Sequence, residues 1–285
     1  MKLCVMNSRI WLVVGIMAAS LFLPVSSRAQ TSGNSAGNPG MTSNTLTQRD
    51  ADLTTNQIME KSLGDPRAEE AYQAFHNAKD ADKKIKLGED YINQYPSDRH
   101  IQAAYDELTQ AYSATHDMEN FYKWSDKGIS LFPDDVTLLA MTGWVIPRAY
   151  RPDDPDGEAR LGKAEKYAKH AIEVLNTMQP PTGMPQQQFD QYKTEELSTA
   201  HSALGLVYFR QEKFEDSTKE IQEATQGTQS PDPTDFFVLG AAYQNLNQYK
   251  EAADAFNRCA QMPGGLQANC KQNADNATKL AAQSK

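Results

Sequence analysis

Five histidines, three cysteines and one run of closely spaced acids are the side chains with the strongest chemical potential in this sequence. His76, His100, His116, His170 and His201 are scattered, and no two of them stand four residues apart with a glutamate between, the spacing that lets one helix face hold zinc and a general base. Each reads as a surface or packing residue. The run Pro152-Asp153-Asp154-Pro155-Asp156-Gly157-Glu158 has the alternating acids of a calcium loop. Placing Gly157 at the sixth loop position, however, puts Pro152 first and Lys163 twelfth, where carboxylates are required. It reads as a solvated insertion. No Gly-x-Ser-x-Gly elbow, phosphate loop or dinucleotide fingerprint occurs. The chain is therefore expected to be no enzyme and to carry no metal and no cofactor.

The cysteines acquire meaning from the N-terminus. Lys2 and Arg9 form a short basic region, Ile10 to Val25 an apolar run, and Ser27-Arg28-Ala29 a small-residue cleavage pattern. This is the grammar of a secretory signal peptide over residues 1–29. The run's 16 residues are few for a hydrocarbon core of about 30 Å. Cys4 precedes the run instead of following it, which speaks against lipid anchoring. The expectation is an exported protein, periplasmic or extracellular, with no stable membrane insertion after cleavage. Cys259 and Cys270 then remain, an even number in an oxidising compartment and a candidate disulfide. Two small buried hydrophobes are the other reading.

Charge narrows the partners. The chain carries −9, and residues 1–29 hold three cations and no acid, so the remainder carries −12. An acidic body lacks the basic stripe that nucleic acid requires, and no nucleic-acid partner is expected. Residues 30–57 are dominated by Thr, Ser, Asn, Gly and Gln, with little to bury, and read as a disordered polar tether. Residues 58–285 are left to form the folded body.

That body repeats itself. Leu204-Gly205-Leu206-Val207-Tyr208 recurs as Leu239-Gly240-Ala241-Ala242-Tyr243, 35 residues later, a helix-pair period. Phe236, Leu239, Gly240 and Tyr243 fall at helical spacing. After a polar break, Ala252, Phe256 and Cys259 form a second stripe. With Pro233 as its first residue, this copy resembles the tetratricopeptide repeat (TPR) family: a large residue at 4, Leu-Gly at 7 and 8, Tyr at 11, Ala at 20 and an aromatic at 24. The copy beginning at Ser198 puts His201, Leu204, Gly205, Tyr208, Ser217, Ile221 and Ala224 in the same roles. More divergent copies span 65–98, 102–135 and 136–180, the last with an insertion over 147–162; the two clear copies span 198–231 and 233–266.

The resemblance implies an all-α, right-handed superhelical solenoid of about five helix pairs. Its exposed end would be closed by a capping helix over 266–283, carrying Leu266, Cys270, Ala274, Ala277 and Ala281 as its stripe. Position 27 of a repeat faces the next helix, which for Cys259 is this cap. Pro263-Gly264-Gly265 supplies the turn, so the resemblance places Cys259 and Cys270 to meet.

It also implies a concave groove lined by the first helix of each pair. The first two copies contribute Glu69, Glu70, Gln73, Asp106, Glu107 and Gln110 to it, and the later ones Met141, Trp144, Arg148, Leu206, Phe209, Arg210, Phe237 and Val238. The Lys and Asn pattern of chaperone-binding members is absent. Apolar groove residues beside arginines fit a bound protein or peptide segment with an acidic group. The other reading has Trp144 and Phe209 packing under the insertion or against extra turns before Ser198. A non-catalytic interaction scaffold of the bacterial cell envelope is the leading function. An envelope or outer-membrane assembly or cell-division coordination factor is the alternative, drawn from Tyr91 to Asp98, and a solute-binding protein or enzyme comes last.

Overall fold

The computed structural model describes residues 64–228 and 230–284. The expected signal segment, the tether and Cys4 lie outside them. The described residues form eleven helices: α1 (Pro66–His76), α2 (Ala81–Gln94), α3 (Ile101–Ala114), α4 (Met118–Leu131), α5 (Val136–Ala149), α6 (Gly157–Thr177), α7 (Gln186–Arg210), α8 (Phe214–Thr225), α9 (Pro233–Asn245), α10 (Tyr249–Ala260) and α11 (Gln267–Gln283). None of them is long and apolar enough to cross a membrane.

Local chemistry sets the boundaries. Asp65, Asp80, Asp117, Asp135 and Asp232 each cap a helix N-terminus, the carboxylate accepting a backbone N–H of the first turn. Pro66 and Pro233 occupy the first helical position, where no N–H is needed. The turn after the first helix recurs in pairs two, four and five. His116, Glu212 and Asn247 adopt φ of 58°, 60° and 60°. The N–H groups of Asp117, Lys213 and Gln248 donate to the carbonyls of Tyr112, Tyr208 and Tyr243, five residues earlier. This is one helix-ending motif used three times with non-glycine residues. It gives His116 its role as a turn residue.

Packing joins consecutive helices into five pairs, α1/α2 to α9/α10, with α11 closing the last. Second helices also touch the next first helix, and α3, α5, α7 and α9 touch in succession. The result is the all-α solenoid of helix pairs that the repeat pattern implied. The Leu-Gly signature has a steric cause: a Cβ added at Gly240 would stand 2.7 Å from the Phe256 ring, so only glycine lets α9 and α10 approach this closely.

Pair three departs from the period. α5 continues through Pro147 to Ala149, and α6 starts at Gly157. The loop is therefore confined to Tyr150–Asp156, shorter than the insertion anticipated over 147–162. The period is lost instead in long helices. α6 has 21 residues and α7 has 25, and α7 begins at Gln186, ahead of the repeat start at Ser198. Phe189 in this extension is buried, which anchors the extra turns.

Candidate functional site

First helices are bonded to first helices, so α1, α3, α5, α7 and α9 share one face of the stack. At its N-terminal end Glu107 of α3 accepts from the Tyr72 hydroxyl of α1 at 3.0 Å and from Lys84 Nζ of α2 at 2.7 Å, and its Oε1 lies 2.7 Å from His76 Nδ1. Glu69 accepts from Arg99 at 2.6 Å, while His100 Nε2 lies 2.9 Å from it and stacks its ring on Tyr72. The hydrogen bonds from Arg99, then Gln73 and His100, hold the Glu69 carboxyl near pKa 2. Of the four acids read from the first two repeats, Glu69 and Glu107 are thus paired with the chain's own cations.

The middle of the face differs. Asp135, the cap of α5, is 5% exposed, and its Oδ1 accepts the Leu138 N–H. Its Oδ2 is buried with no donor, as is Oδ1 of Asp106 on α3. Burial first, then the Asp135 charge, pushes the Asp106 pKa up to about 8. Glu196, in the extension of α7, accepts from Thr137 Oγ1 at 3.2 Å beside the Tyr192 hydroxyl, and burial raises its pKa as well. Sequence reasoning placed Asp106 on this face but missed Asp135 and Glu196. Asp135 signals itself only as a helix cap, and Glu196 lies outside the repeat count.

At the other end, Arg148 crosses three pairs. Its guanidinium stacks 3.6 Å above the Trp144 ring and donates to the Trp144 carbonyl, to Ser202 Oγ of α7 at 3.3 Å and to Asp232, the cap of α9, at 2.9 Å. Asp235, 3% exposed, accepts from Ser202 Oγ at 2.6 Å and lies 3.8 Å from Arg148. Burial, reinforced by the Asp232 charge, raises the Asp235 pKa. Arg148 is thus engaged by the chain's own carboxylates. Arg210 donates to the Pro147 carbonyl at 3.2 Å beside Tyr150, with no carboxylate in ion-pair reach among the described residues.

The apolar residues expected in the groove divide. Leu206 and Val238 are each 2% exposed and pack with Ile221, Leu239 and Ala255, inside the stack. Phe209 is half-buried against that cluster and edge-on to Phe214 at 5.7 Å. Phe237 meets Phe256 edge-on at 5.7 Å, toward the cap. Met141 and Trp144 are half-buried over the N-terminal core. Trp144 and Arg148 are therefore together, as are Leu206, Phe209 and Val238, while Phe237 belongs to a separate cluster. A partly buried leucine and an exposed one look alike in a repeat alignment, so sequence alone did not separate them.

Other chemical candidates have structural partners. His170 lies 2.8 Å from Asp134 and His201 2.7 Å from Glu220, each beside a carboxylate of a neighbouring element. Arg160 is the counter-ion of Asp154 and Asp156 in the acidic loop. Among the described residues no group of His, Cys, Asp or Glu is arranged to hold a metal ion. The Tyr91 hydroxyl donates to Asp98, tying α2 to the turn before α3, which gives the Tyr-Pro-Ser-Asp segment a fold role. Cys259 and Cys270 stand at disulfide distance, buried, with Cα atoms 5.7 Å apart.

The chain matches no family model and no curated protein. Among solved structures it is similar to a thermophilic TPR protein of Thermus thermophilus, at 15% identity and a TM-score of 0.48, over 74% of this chain and 96% of that one.

Proposed function

We propose that this protein is a non-catalytic interaction scaffold, exported to the periplasm or beyond, whose first-helix face receives a segment of another protein. The observation that carries this reading is the bonded row of first helices. It makes one continuous face on which Met141, Trp144, Phe209 and Arg210 retain solvent contact, while the histidines among the described residues serve the fold. Leu206 and Val238 support the floor from beneath, and Arg148 shapes the rim through its bonds to Asp232. The disulfide-distance cysteines agree with an oxidising compartment.

The test is crosslinking in the native envelope followed by capture with the wild-type chain and with Trp144→Ala. Scaffolding predicts loss of the crosslinked partner at little change in melting temperature. A lowered melting temperature with unchanged capture would assign Trp144 to the fold alone.

A further inference from the structure

We propose that the docked partner segment presents one acidic side chain, flanked by apolar ones, to Arg210 at the C-terminal end of α7. The inference rests on the scaffold reading and gives the partner a chemistry: a single Asp or Glu within an extended chain, neither a run of acids nor a chain end.

The first helices carry three arginines, Arg67, Arg148 and Arg210. Arg67 lies 3.0 Å from Asp65, and Arg148 lies 2.9 Å from Asp232. Arg210 has no carboxylate in ion-pair reach among the described residues, and its one hydrogen bond there runs from Nε to the Pro147 carbonyl at 3.2 Å. The chain supplies a counter-charge to two of the three and leaves the last without one. Arg148 stands at the same repeat position as Arg210, one pair earlier, but its donors are engaged by the Trp144 carbonyl, Ser202 and Asp232. An external anion is therefore left with Arg210 alone, not with both arginines.

The geometry of the guanidinium points the same way, independently of the charge count. Pro147 lies in the last turn of α5, where carbonyls lack intrahelical partners, and the bond to one of them fixes the guanidinium plane at Nε. That bond occupies a side edge of the group and leaves the terminal edge, Nη1 and Nη2, with no partner among the described residues. Arg210 keeps part of its surface in solvent, and neither Nη atom is buried. The Tyr150 ring, 5.8 Å from Cζ, stands beside the group. Two accessible, parallel N–H donors on a fixed plane are what a carboxylate accepts bidentately.

The surroundings then select the kind of acid. α5, α7 and α9 touch in succession, with the half-buried Trp144 on α5, Phe209 beside Arg210 on α7, and the half-buried Phe237 on α9. A chain crossing the three helices meets apolar surface before and after the cation, so its acid comes from within the segment and has apolar neighbours. The chain's own acids stand close to this end: Asp232 on Arg148, Glu158 on the Tyr150 hydroxyl at 2.7 Å, and Glu212 two residues beyond Arg210. A second acid in the segment would meet those charges, and the other arginine of this end is already engaged. Like-charge contact of this kind disfavours acidic runs.

A random decapeptide library, displayed on phage with its C-terminus fused, is selected on the full chain and on Arg210→Glu. The wild type should enrich one Asp or Glu at a fixed position between apolar residues, and the variant should enrich Lys or Arg there instead. The selected peptide, synthesised with an amidated C-terminus, should bind the wild type at least about tenfold more tightly than the same peptide with the amide side chain in place of the acid. Arg210→Gln should abolish that difference. A consensus without an acid, an acid still enriched on Arg210→Glu, or an equally tight amide peptide overturns the inference and leaves the scaffold reading standing. A consensus of several acids, or tighter binding when the peptide is cut back so that its C-terminal carboxylate takes the acid's place, overturns it as well. Absence of any consensus on either protein defeats the scaffold reading, and the inference with it. Arg210 also bonds Pro147, so melting curves establish that both variants are folded. The acid-to-amide comparison uses the wild type alone and decides the matter if they are not.

Discussion

Replacing Asp106 by Asn should make the protein more stable, and increasingly so as pH rises from 5 to 8. A carboxyl whose folded pKa lies above its unfolded value makes the folded state bind more protons than the unfolded one, so stability falls with rising pH across the interval between the two. For Asp106 that interval runs from 3.8 to about 8. Each unit corresponds to about 1.4 kcal/mol, so by pH 7 roughly three units give an upper bound of about 4 kcal/mol. Asp106 keeps some solvent contact, so about half of that is expected, about 2 kcal/mol. Asparagine does not titrate, and its amide can donate permanently to Asp135 Oδ2, where the aspartic acid donates only while protonated. Urea denaturation followed by circular dichroism at pH 5, 6, 7 and 8 measures the difference. The separation in favour of the variant should grow by about 2 kcal/mol between pH 5 and pH 8. The raised Glu196 and Asp235 groups are present in both proteins and cancel in the difference. Parallel curves across this range, or a variant less stable at pH 8, would refute the raised Asp106 pKa.

Two glycines of opposite surroundings test the packing account. Gly240→Ala drives a methyl into Phe256 and should cost about 1 to 3 kcal/mol, whereas Gly162→Ala, with nothing within 4 Å inside α6, should gain up to about 1 kcal/mol. Thiol labelling of the denatured, non-reduced protein should detect neither Cys259 nor Cys270. Reducing the bond should lower stability by about 2 to 3 kcal/mol and raise amide exchange in α11 more than in α1 to α4. Arg148→Ala strips the cation from Asp235, which is buried, and should cost about 3 kcal/mol at pH 8. The loss should shrink as pH falls and Asp235 takes up a proton.

The fold was legible in the sequence wherever a residue type is forced by backbone geometry or close packing. Gly205 and Gly240 mark helix crossings that admit no Cβ, Pro66 and Pro233 mark first turns, and apolar stripes mark the buried sides. All of these are local consequences of residue type, and they survive in divergent copies. Extra turns before Ser198 were legible, but not their length or their contacts, because Gln186 to Thr199 has few apolar residues and is held by Phe189 and by contacts to α5 that only tertiary structure defines. For the same reason Glu196 could not be placed opposite Asp135. The groove residues were half legible: repeat position gives the helix side, but exposure depends on how far neighbouring pairs close over it. Leu206 and Val238 lie beneath that closure, and Trp144 and Phe209 at its edge.

Arg148 bears on how far the pairs of the stack act on one another. A solenoid whose pairs contact only their neighbours transmits little beyond one pair. Here Arg148 bonds pair three to pairs four and five, and Thr137 of pair three donates to Glu196 of pair four. Both bonds run between α5 and α7: Thr137 stands in the first turn of α5 and Arg148 in its last, and Glu196 precedes Ser202 on α7 by less than two turns. α7 also carries Ser202, whose hydroxyl donates to Asp235 of α9. Arg148 thus joins pair three directly to pair five, a side-chain bond that reaches past the nearest neighbour.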